Sequence, residues 1–244
     1  MSTEKKIALI TGANKGLGYE IAHKLGLQGI TVYVGARNES RGKAAVEKLI
    51  AEGVDARAVL IDLDKKESIE QAAQLIEKEH GHLDILVNNA GVIDPQDGVP
   101  STTSVDTVRR TFETNFYGAL EVTQIMLPLI KKSPAGRIVN MSSGLGSLAL
   151  NEDPSWEFAD TKLIGYNASK AALNMLTVQL AWELRDSPVK VNAANPNFTD
   201  TELVPGAVGG RPVSEGARTA VELALLPSDG PTGGFFEDGE VVPW

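Results

Sequence analysis

Residues 7–18, IALITGANKGLG, decide the fold of this chain. Four apolar residues lead into a turn that contains Gly12, Gly16 and Gly18. An apolar run without polar alternation is typical of a strand buried on both faces of a parallel sheet. Residues 19–27 follow with apolar side chains at helical spacing. A strand, a glycine turn and a helix place backbone N–H groups at a helix N-terminus. This arrangement favours a diphosphate-binding turn, although a tight turn in another α/β protein has the same pattern.

Composition limits the classes of protein that the chain can belong to. Its 244 residues are 42% hydrophobic and 23% charged, which is ordinary for a globular protein with a sizeable core. The net charge of −9 disfavours a general nucleic-acid binder and a polybasic membrane surface. The sequence has no cysteine, which excludes disulfides, thiol nucleophiles and cysteine-ligated metals.

We expect no secretion signal at the beginning of the sequence. Residues 1–6, MSTEKK, run into the first predicted strand without a long apolar segment or a small-residue cleavage site. No uninterrupted apolar run approaches the roughly 18 residues that a membrane span needs. We therefore expect a cytoplasmic protein without a membrane partner.

Strands and helices alternate along the whole chain. Further strands are predicted at 31–36, 56–62, 85–87, 137–141 and 189–194, with a short last one within 233–242. Helices are predicted at 40–53, 67–80, 105–132, 165–185 and 214–226. This order implies βαβ units with right-handed crossovers. We predict an α/β protein with one doubly wound domain over residues 1–244, in which helices flank both faces of a seven-stranded parallel sheet.

In such a sheet, ligands bind beyond the carboxyl ends of the strands. The residues at those ends are therefore the candidates for a site. They are residues 11–18, 36–41, 62, 88–91, 142–143 and 195–201. All six groups are expected along one edge of the sheet.

The charges after the second strand indicate which dinucleotide would bind. NAD-binding proteins usually carry an acidic residue there, which accepts from the ribose hydroxyls. This chain has Ala36 and then Arg37, with Arg41 one helical turn later and Lys15 in the glycine turn. Three cations around one point suit a 2′-phosphate, and we therefore expect NADP(H) as the cofactor. Asp62 is either a partner of the adenine amine or a plain turn residue.

Tyr166 and Lys170 are four residues apart, so a helix places them on one face. A cation beside a phenol favours the phenolate and is expected to lower the tyrosine pKa from its usual value of about 10. Such a tyrosine can exchange a proton with a carbonyl or an alcohol oxygen. Ser143 can hydrogen-bond to the same oxygen as charge develops on it.

Together these motifs resemble the short-chain dehydrogenase/reductase family, and the resemblance covers nearly the whole chain. Residues 11–18 match the family's TGxxxGxG cofactor turn, 88–91 its NNAG, Asn115 its catalytic asparagine and 166–170 its YxxxK. The glycine turn with Arg37 and Arg41 is similar to the NADPH-preferring carbonyl reductase branch. The resemblance implies a Rossmann fold.

The resemblance also implies the site residues. The expected catalytic residues are Asn115, Ser143, Tyr166 and Lys170. The expected cofactor-binding residues are Gly12, Asn14, Lys15, Gly16, Leu17, Gly18, Arg37, Arg41, Asp62, Leu63, Asn89, Ala90, Gly91, Tyr166, Lys170 and Thr199. No metal site is expected, because the histidines have no ligand partners in the sequence.

The implied reaction is the reduction of a carbonyl, or oxidation of the secondary alcohol, with hydride exchanged with NADP(H). Tyr166 would transfer the proton, Lys170 would lower its pKa and bind the nicotinamide ribose, and Asn115 would anchor a water that relays protons. Two alternatives remain: a non-catalytic NADP(H)-sensing protein, and a dehydratase or epimerase on the same fold.

The chain departs from the family pattern in two places. Asn197 stands where the family usually has glycine, which puts the backbone near Phe198 and Thr199 in doubt. The 23 residues from Ser143 to Tyr166 are a longer gap than usual, and residues 151–162 are the expected insertion. The insertion could line the substrate pocket or cover an interface helix, so the sequence leaves monomer, homodimer and homotetramer open.

We expect the domain to consist of a cofactor-binding half and a set of substrate loops. Residues 1–145 form the cofactor half, and loops 94–104, 144–163 and 197–213 contact a small-molecule substrate. The segment from Thr201 to residue 213 has the composition of a mobile lid. The identity of the substrate has no signature in these loops.

Overall fold

The computed structural model describes residues 5–203 and 209–244. The strands of this part of the chain are β1 (Ile7–Thr11), β2 (Thr31–Ala36), β3 (Ala56–Leu60), β4 (Ile85–Asn88), β5 (Arg137–Met141), β6 (Lys190–Ala194), β7 (Phe235–Glu237) and β8 (Glu240–Val241). They form one sheet in the order β3-β2-β1-β4-β5-β6-β7-β8. Strands β1 to β7 are parallel, and β8 pairs with β7 in the antiparallel direction. The order reverses between β1 and β4, which makes this the switch point of the sheet.

Helices connect the parallel strands. The α-helices are α1 (Gly16–Leu27), α2 (Glu39–Ala51), α3 (Lys66–His80), α4 (Val105–Phe112), α5 (Ala119–Ile130), α6 (Leu148–Glu152), α7 (Ile164–Glu183), α8 (Val213–Gly216) and α9 (Arg218–Ala224). A π-helical turn, Glu113–Gly118, joins α4 to α5, and a 3₁₀ turn, Gly144–Gly146, precedes α6. Within the described ranges, no helix has both the length and the apolar character needed to cross a membrane.

Side chains of β1 alternate between two hydrophobic layers. Ala8 and Ile10 pack in the layer that also contains residues of α1, α2 and α9, whereas Ile7 and Leu9 pack with residues of α3, α5 and α7. Burying one Leu or Ile side chain contributes about 1.5–3 kcal/mol to the free energy of unfolding. The doubly wound α/β fold predicted from the sequence is therefore confirmed.

The sheet has one strand more than the seven predicted. The predicted last strand at 233–242 is a hairpin of β7 and β8. Asp238 and Gly239 form its turn with positive φ angles of 50° and 86°. An Asp-Gly pair suits the type of turn that reverses a strand within two residues, and this local signal identifies the hairpin.

Two predicted helices, and one segment that was predicted as irregular, differ from the structure. The helix predicted at 105–132 is interrupted by the π-helical turn, and the helix predicted at 214–226 is divided into α8 and α9. Apolar periodicity does not register one extra residue within a turn, which is what a π-helical turn inserts. Segment 142–163, predicted as irregular, contains the short helix α6, whose first turn is capped by Ser147 through the N–H of Leu150 at 3.1 Å.

A polar cluster lies under the sheet towards the amino ends of its strands. Tyr33 of β2 is 1% exposed, and its hydroxyl lies 2.9 Å from Nε2 of His80 at the end of α3. Arg57 contacts the same hydroxyl at 3.0 Å and the same ring nitrogen at 3.1 Å, while Glu79 accepts from Tyr33 and Arg57. Because a guanidinium only donates, this contact requires a lone pair on Nε2 and therefore a neutral His80. Burial and the charge of Arg57 both lower the pKa of His80.

This cluster makes stability depend on pH. Because the folded pKa of His80 lies below the unfolded value of about 6.5, its stabilising contribution is complete above that value and is lost as pH falls below it. We expect the urea midpoint to be lower at pH 5.5 than at pH 7.5. His80→Gln should flatten this difference, since glutamine does not titrate, whereas His23→Gln should leave it in place. An unchanged decline in His80→Gln would assign the pH dependence to another group.

Candidate active site

The glycine turn between β1 and α1 forms one end of the site. Gly12 and Gly16 have left-handed φ angles of 64° and 56°. A Cβ on Gly18 would lie 2.4 Å from Nδ2 of Asn89 and 2.7 Å from the carbonyl oxygen of Gly12, so no larger residue fits there. The turn is thus a compact loop that ends at the N-terminus of α1, where the first backbone N–H groups have no helical partner.

The end of β4 is hydrogen-bonded to this turn. The hydroxyl of Thr11 accepts from the backbone N–H groups of Asn89 and Ala90 at 3.0 and 3.1 Å. The Asn89 amide donates to the carbonyl oxygen of Thr11 at 2.8 Å. Residues predicted at two separate strand ends are therefore brought into direct contact across the switch point.

A cavity of about 570 Å³ extends from the glycine turn to Tyr166 and Lys170. The predicted site residues that line it are Gly12, Asn14, Lys15, Gly16, Leu17, Gly18, Arg37, Asp62, Leu63, Asn89, Ala90, Gly91, Tyr166 and Lys170. Four other predicted residues, Arg41, Asn115, Ser143 and Thr199, do not line it. The volume lies in the range of about 300–1,000 Å³ that ligand pockets occupy.

Several lining residues were not identified from the sequence. They include Ile61, Val92, Ile93 and Thr114, whereas Ser142, Pro196 and Asp200 belong to the predicted strand-end groups and Glu202 to the predicted lid. Val92 and Ile93 directly follow the predicted strand-end motif, so extending that motif by two residues would have found them. Glu202 lies in a loop, and no pattern in that loop predicts its contact with the glycine turn.

The predicted cluster of cations is present only in part. Arg37 lines the cavity, but Lys15 forms an ion pair with Glu202, which belongs to the loop after β6. The hydrogen bond and charge of Lys15, with a smaller contribution from Arg41, lower the pKa of Glu202. Arg41 itself lies in the first turn of α2, where its backbone N–H donates to Asn38 at 2.9 Å. The acidic side chain of Glu202 therefore neutralises part of the positive charge at this rim.

Tyr166 and Lys170 lie one turn apart on α7 at the other end of the cavity. They are 6% and 4% exposed, and Nζ of Lys170 lies 5.6 Å from the centre of the Tyr166 ring. The ammonium group donates to the carbonyl oxygen of Met141 at 2.8 Å. Ser143, which follows β5, interacts with the phenol and opposes the rise of its pKa. The structure thus brings three of the four predicted catalytic residues together.

The predicted lowering of the Tyr166 pKa is wrong for this structure. Burial raises the pKa of Tyr166 to about 12, and the hydrogen bond with Ser143 only partly opposes this shift. Burial also lowers the pKa of Lys170 to about 8. Removal from water disfavours the charged form of both groups, and it is the main cause of each shift.

The two adjacent serines have different surroundings. Ser142 is buried, and its hydroxyl donates to Oδ1 of Asn174 at 2.5 Å. Ser143 is half-buried and acts on Tyr166, while its Oγ also accepts from the N–H of Leu145 at 3.2 Å. This difference supports Ser143, rather than Ser142, as the partner of the tyrosine.

Asn115 occupies the π-helical turn between α4 and α5. Its amide accepts from the N–H of Val92 at 2.8 Å and donates to the carbonyl oxygen of Val92 at 2.9 Å and to Ser169 at 3.0 Å. Both amide hydrogens are therefore engaged by protein atoms. π-Helical turns often mark functional sites, and here the turn directs an asparagine towards the segment after β4. The side chain holds that segment in place, and the anchoring of a proton-relaying water by Asn115 stays a prediction.

The turn after β6 accommodates asparagine instead of glycine. Asn197 has a left-handed φ of 54°. Its amide, like that of Asn195, donates to the carboxylate of Glu237 in β7. Thr199 is 9% exposed, and its hydroxyl donates to the carbonyl oxygen of Pro196 at 2.8 Å. Thr199 does not line the cavity, and its contact with the cofactor stays a prediction.

The predicted insertion packs beside Ser143. The rings of Trp156 and Phe158 are 5.5 Å apart, and Phe158 lies 6.2 Å from Phe198. A Cβ on Gly144 would lie 2.9 Å from the Trp156 ring. Of the two roles considered for this segment, the contacts favour a wall near Ser143. Residues 204–208 of the predicted lid lie outside the described residues, and its described part before them contributes Thr201, Glu202 and Leu203 to the cavity.

Comparison with known proteins places the chain in a family. A family model described as short chain dehydrogenase matches residues 6–208. Carbonyl reductase [NADPH] 1 of Mus musculus is 35% identical over 283 residues, covering 100% of both chains. The short-chain dehydrogenase anuI of Penicillium roqueforti is 36% identical, covering 97% of this chain and 95% of its own.

Solved structures agree with this assignment. Salutaridine reductase from Papaver somniferum superposes with a TM-score of 0.81 at 29% identity, covering 96% of this chain and 100% of its own. An NADPH-bound carbonyl reductase from chicken fatty liver has a TM-score of 0.86 at 24% identity, covering 99% and 100%, which shows the shared fold. The chain belongs to the short-chain dehydrogenase family.

The left-handed turn can be tested through stability. Asn197→Ala should lower the free energy of unfolding by about 1–2 kcal/mol, because alanine resists this φ angle and leaves Glu237 with one donor fewer. Asn197→Gly should cost less, since glycine adopts the angle freely and loses only the amide. Urea unfolding of both variants measures the difference. Equal stability of the alanine variant and the parent chain would show that the turn relaxes to another conformation.

Proposed function

We propose that this protein is an NADPH-dependent reductase of small carbonyl compounds, in which Tyr166 transfers the proton. The observation that carries the proposal is the continuous cavity that joins a glycine turn to a buried Tyr166–Lys170 pair. Carbonyl reductases that use NADPH are among its relatives at 33–35% identity over the full chain. The cofactor assignment rests on these relatives together with the cationic rim at Arg37 and Lys15.

The residues present fit a bound dinucleotide. The place that a Cβ on Gly18 would fill is already in contact with Asn89 and Gly12, so the turn offers backbone rather than side chains to the cavity. Backbone N–H groups at a helix N-terminus bind diphosphates. Arg37 would hold the 2′-phosphate, and Asp62 and Leu63 line the part of the cavity beside it.

When bound, NADPH supplies a hydride to the carbonyl carbon of the substrate. The Tyr166 phenol gives its proton to the carbonyl oxygen, and its raised pKa keeps that proton in place at neutral pH. Ser143 hydrogen-bonds to the oxygen as negative charge develops on it. Lys170, with a pKa of about 8, can return a proton to the resulting phenolate. The reverse reaction, alcohol oxidation, needs the phenolate and should therefore increase with pH.

The proton donor is tested by Tyr166→Phe. Loss of the phenolic hydroxyl should lower kcat for carbonyl reduction by about 10²- to 10⁴-fold, because general acid catalysis contributes on that order. NADPH binding should be retained, since phenylalanine keeps the ring. A panel of ketones and aldehydes, followed by oxidation of NADPH, gives the measurement.

Tyr33→Phe is the matched control. It removes a hydroxyl from a second buried tyrosine, also with a pKa of about 12, in the cluster with His80. This variant should retain activity in the folded enzyme. Full turnover by Tyr166→Phe would contradict the mechanism, and tight NADPH binding without turnover of any carbonyl by the parent chain would favour a binding protein instead.

The cationic rim gives a second test with substitutions of opposite effect. Arg37→Gln should weaken NADPH binding by about tenfold with little change for NADH, because the charge-assisted bonds to the 2′-phosphate are lost. Glu202→Gln should strengthen NADPH binding by about two- to fivefold, because it frees Lys15 from an exposed ion pair of modest strength. Fluorescence titration with each dinucleotide measures both effects.

Glu183→Gln controls for the change in net charge. Glu183 is exposed at the last residue of α7, and its substitution should leave both dissociation constants unchanged. Equal losses of NADPH and NADH affinity in Arg37→Gln would remove this arginine from the phosphate site. An unchanged NADPH affinity in Glu202→Gln would show that Lys15 does not contribute.

A further inference from the structure

The loop between β4 and α4 returns to the helix that carries Tyr166. Within it, the carboxylate of Asp97 accepts three backbone N–H groups. Oδ1 accepts from Gly165 at 2.9 Å and from Gly98 at 2.9 Å, and Oδ2 accepts from Tyr166 at 2.8 Å. The Asp97 side chain is thus bonded directly to the backbone of the proposed proton donor.

These bonds complete the first turn of α7. The helix begins at Ile164, and Leu163 before it has no polar side chain with which to cap it. The carbonyl oxygen of Gly98 accepts from the N–H of Ile164 at 2.9 Å. Three successive N–H groups at the start of the helix are therefore satisfied by two consecutive residues of a distant loop. A carboxylate at this position also interacts favourably with the helix dipole.

The residue before Tyr166 permits this close approach. A Cβ on Gly165 would lie 3.0 Å from Oδ2 of Asp97 and 3.3 Å from the hydroxyl of Thr111 in α4. A larger residue at position 165 would push the carboxylate or α4 away. Glycine at position 165 therefore leaves the space that the Asp97 carboxylate occupies.

The loop is itself held in place by α4. Arg110 donates through Nε to Asp94 at 2.8 Å and through Nη2 to Gln96 at 3.2 Å. Asp97 therefore extends from a braced segment, and its position is defined relative to α4 as well as α7. One turn later, Lys170 is bonded to Met141 in β5. The turn of α7 that carries Tyr166 is thus fixed at both ends.

We propose that Asp97 is a positioning residue for Tyr166, and that it sets the phenol relative to Ser143 and Lys170. The inference rests on the proposed function. The carboxylate does not line the cavity, so it acts through the backbone of Tyr166 and not on the substrate. A displacement of about 1 Å at a reacting group can lower a rate by about 10²-fold.

Asp97→Ala and Asp97→Asn test the inference. Alanine removes every acceptor, so kcat for carbonyl reduction should fall roughly 10- to 100-fold while the dissociation constant of NADPH stays within about twofold. Asparagine keeps one accepting oxygen and should give an intermediate kcat. Hydrogen exchange of the amides of Gly165 and Tyr166, measured by mass spectrometry without cofactor, should be faster in the alanine variant.

Asp84→Asn is the matched control. Asp84 is a buried carboxylate that accepts from the backbone N–H of Ile7 at 2.8 Å and from Ser133, far from α7 in the sequence and next to the start of β4. This variant should lose stability without a change in kcat per folded molecule. If the alanine variant does not fold, the asparagine variant decides by the same readouts.

Two results would overturn the inference. One is a kcat within about twofold of the parent chain in both Asp97 variants despite faster amide exchange, which would make Asp97 a helix cap only. The other is a parallel loss of NADPH binding and kcat, which would indicate general disruption. Absence of carbonyl turnover in the parent chain would instead refute the proposed function.

Discussion

The approach of the β4 end to the glycine turn is the constraint on which the site depends. The hydroxyl of Thr11 accepts from two consecutive N–H groups of the 88–91 segment. Because Gly18 has no side chain, the Asn89 amide can lie against it. Two residues later, a Cβ on Gly91 would lie 3.5 Å from both Asn115 Oδ1 and Lys170 Nζ. One short stretch of chain therefore touches both the glycine turn at one end of the cavity and Lys170 at the other. Its position sets the distance between them.

Removal from water is the main influence on the pKa values of the two buried tyrosines. Tyr33 and Tyr166 lie on different elements with different neighbours, and burial is the main cause that raises the pKa of each phenol to about 12. The two hydroxyl groups differ in their partners and in their position relative to the cavity. Tyr33 donates a hydrogen bond to Glu79 in the cluster with His80, whereas Tyr166 lines the cavity next to an amine with a pKa of about 8. Only the second hydroxyl belongs to a residue that lines the cavity.

Local patterns predicted much of the fold. The predicted strands at 31–36 and 137–141 have the observed bounds, because continuous apolar runs reflect burial on both faces. The convergence of the strand-end motifs followed from parallel topology. The π-helical turn and the hairpin at Asp238 were missed because each depends on one or two residues that hydrophobic periodicity does not register.

The site was less predictable where contacts cross long stretches of sequence. The Lys15–Glu202 pair and the Asp97 bonds join residues about 187 and 68 positions apart, and nothing near either carboxylate indicates its partner. The Tyr166 pKa was predicted in the wrong direction because residue spacing gives the neighbouring charge but not the degree of burial. Strand-end positions in a parallel sheet can thus be inferred from sequence, whereas loop partners and local polarity require the coordinates.

The carboxylate of Glu237 gives the turn after β6 a property that glycine alone could not provide. It receives amide donors from Asn195 and Asn197, and the next residue, Asp238 in the hairpin turn, is paired with Arg211 and Arg218. The three polar residues at 195, 197 and 237 therefore behave as one unit, because replacing any one leaves another without its partner. A glycine turn is adaptable, whereas this one is braced by the neighbouring strand. The edge hairpin, which is remote from the glycine turn along the sheet, thereby fixes the turn that contains Pro196, one of the residues that line the cavity.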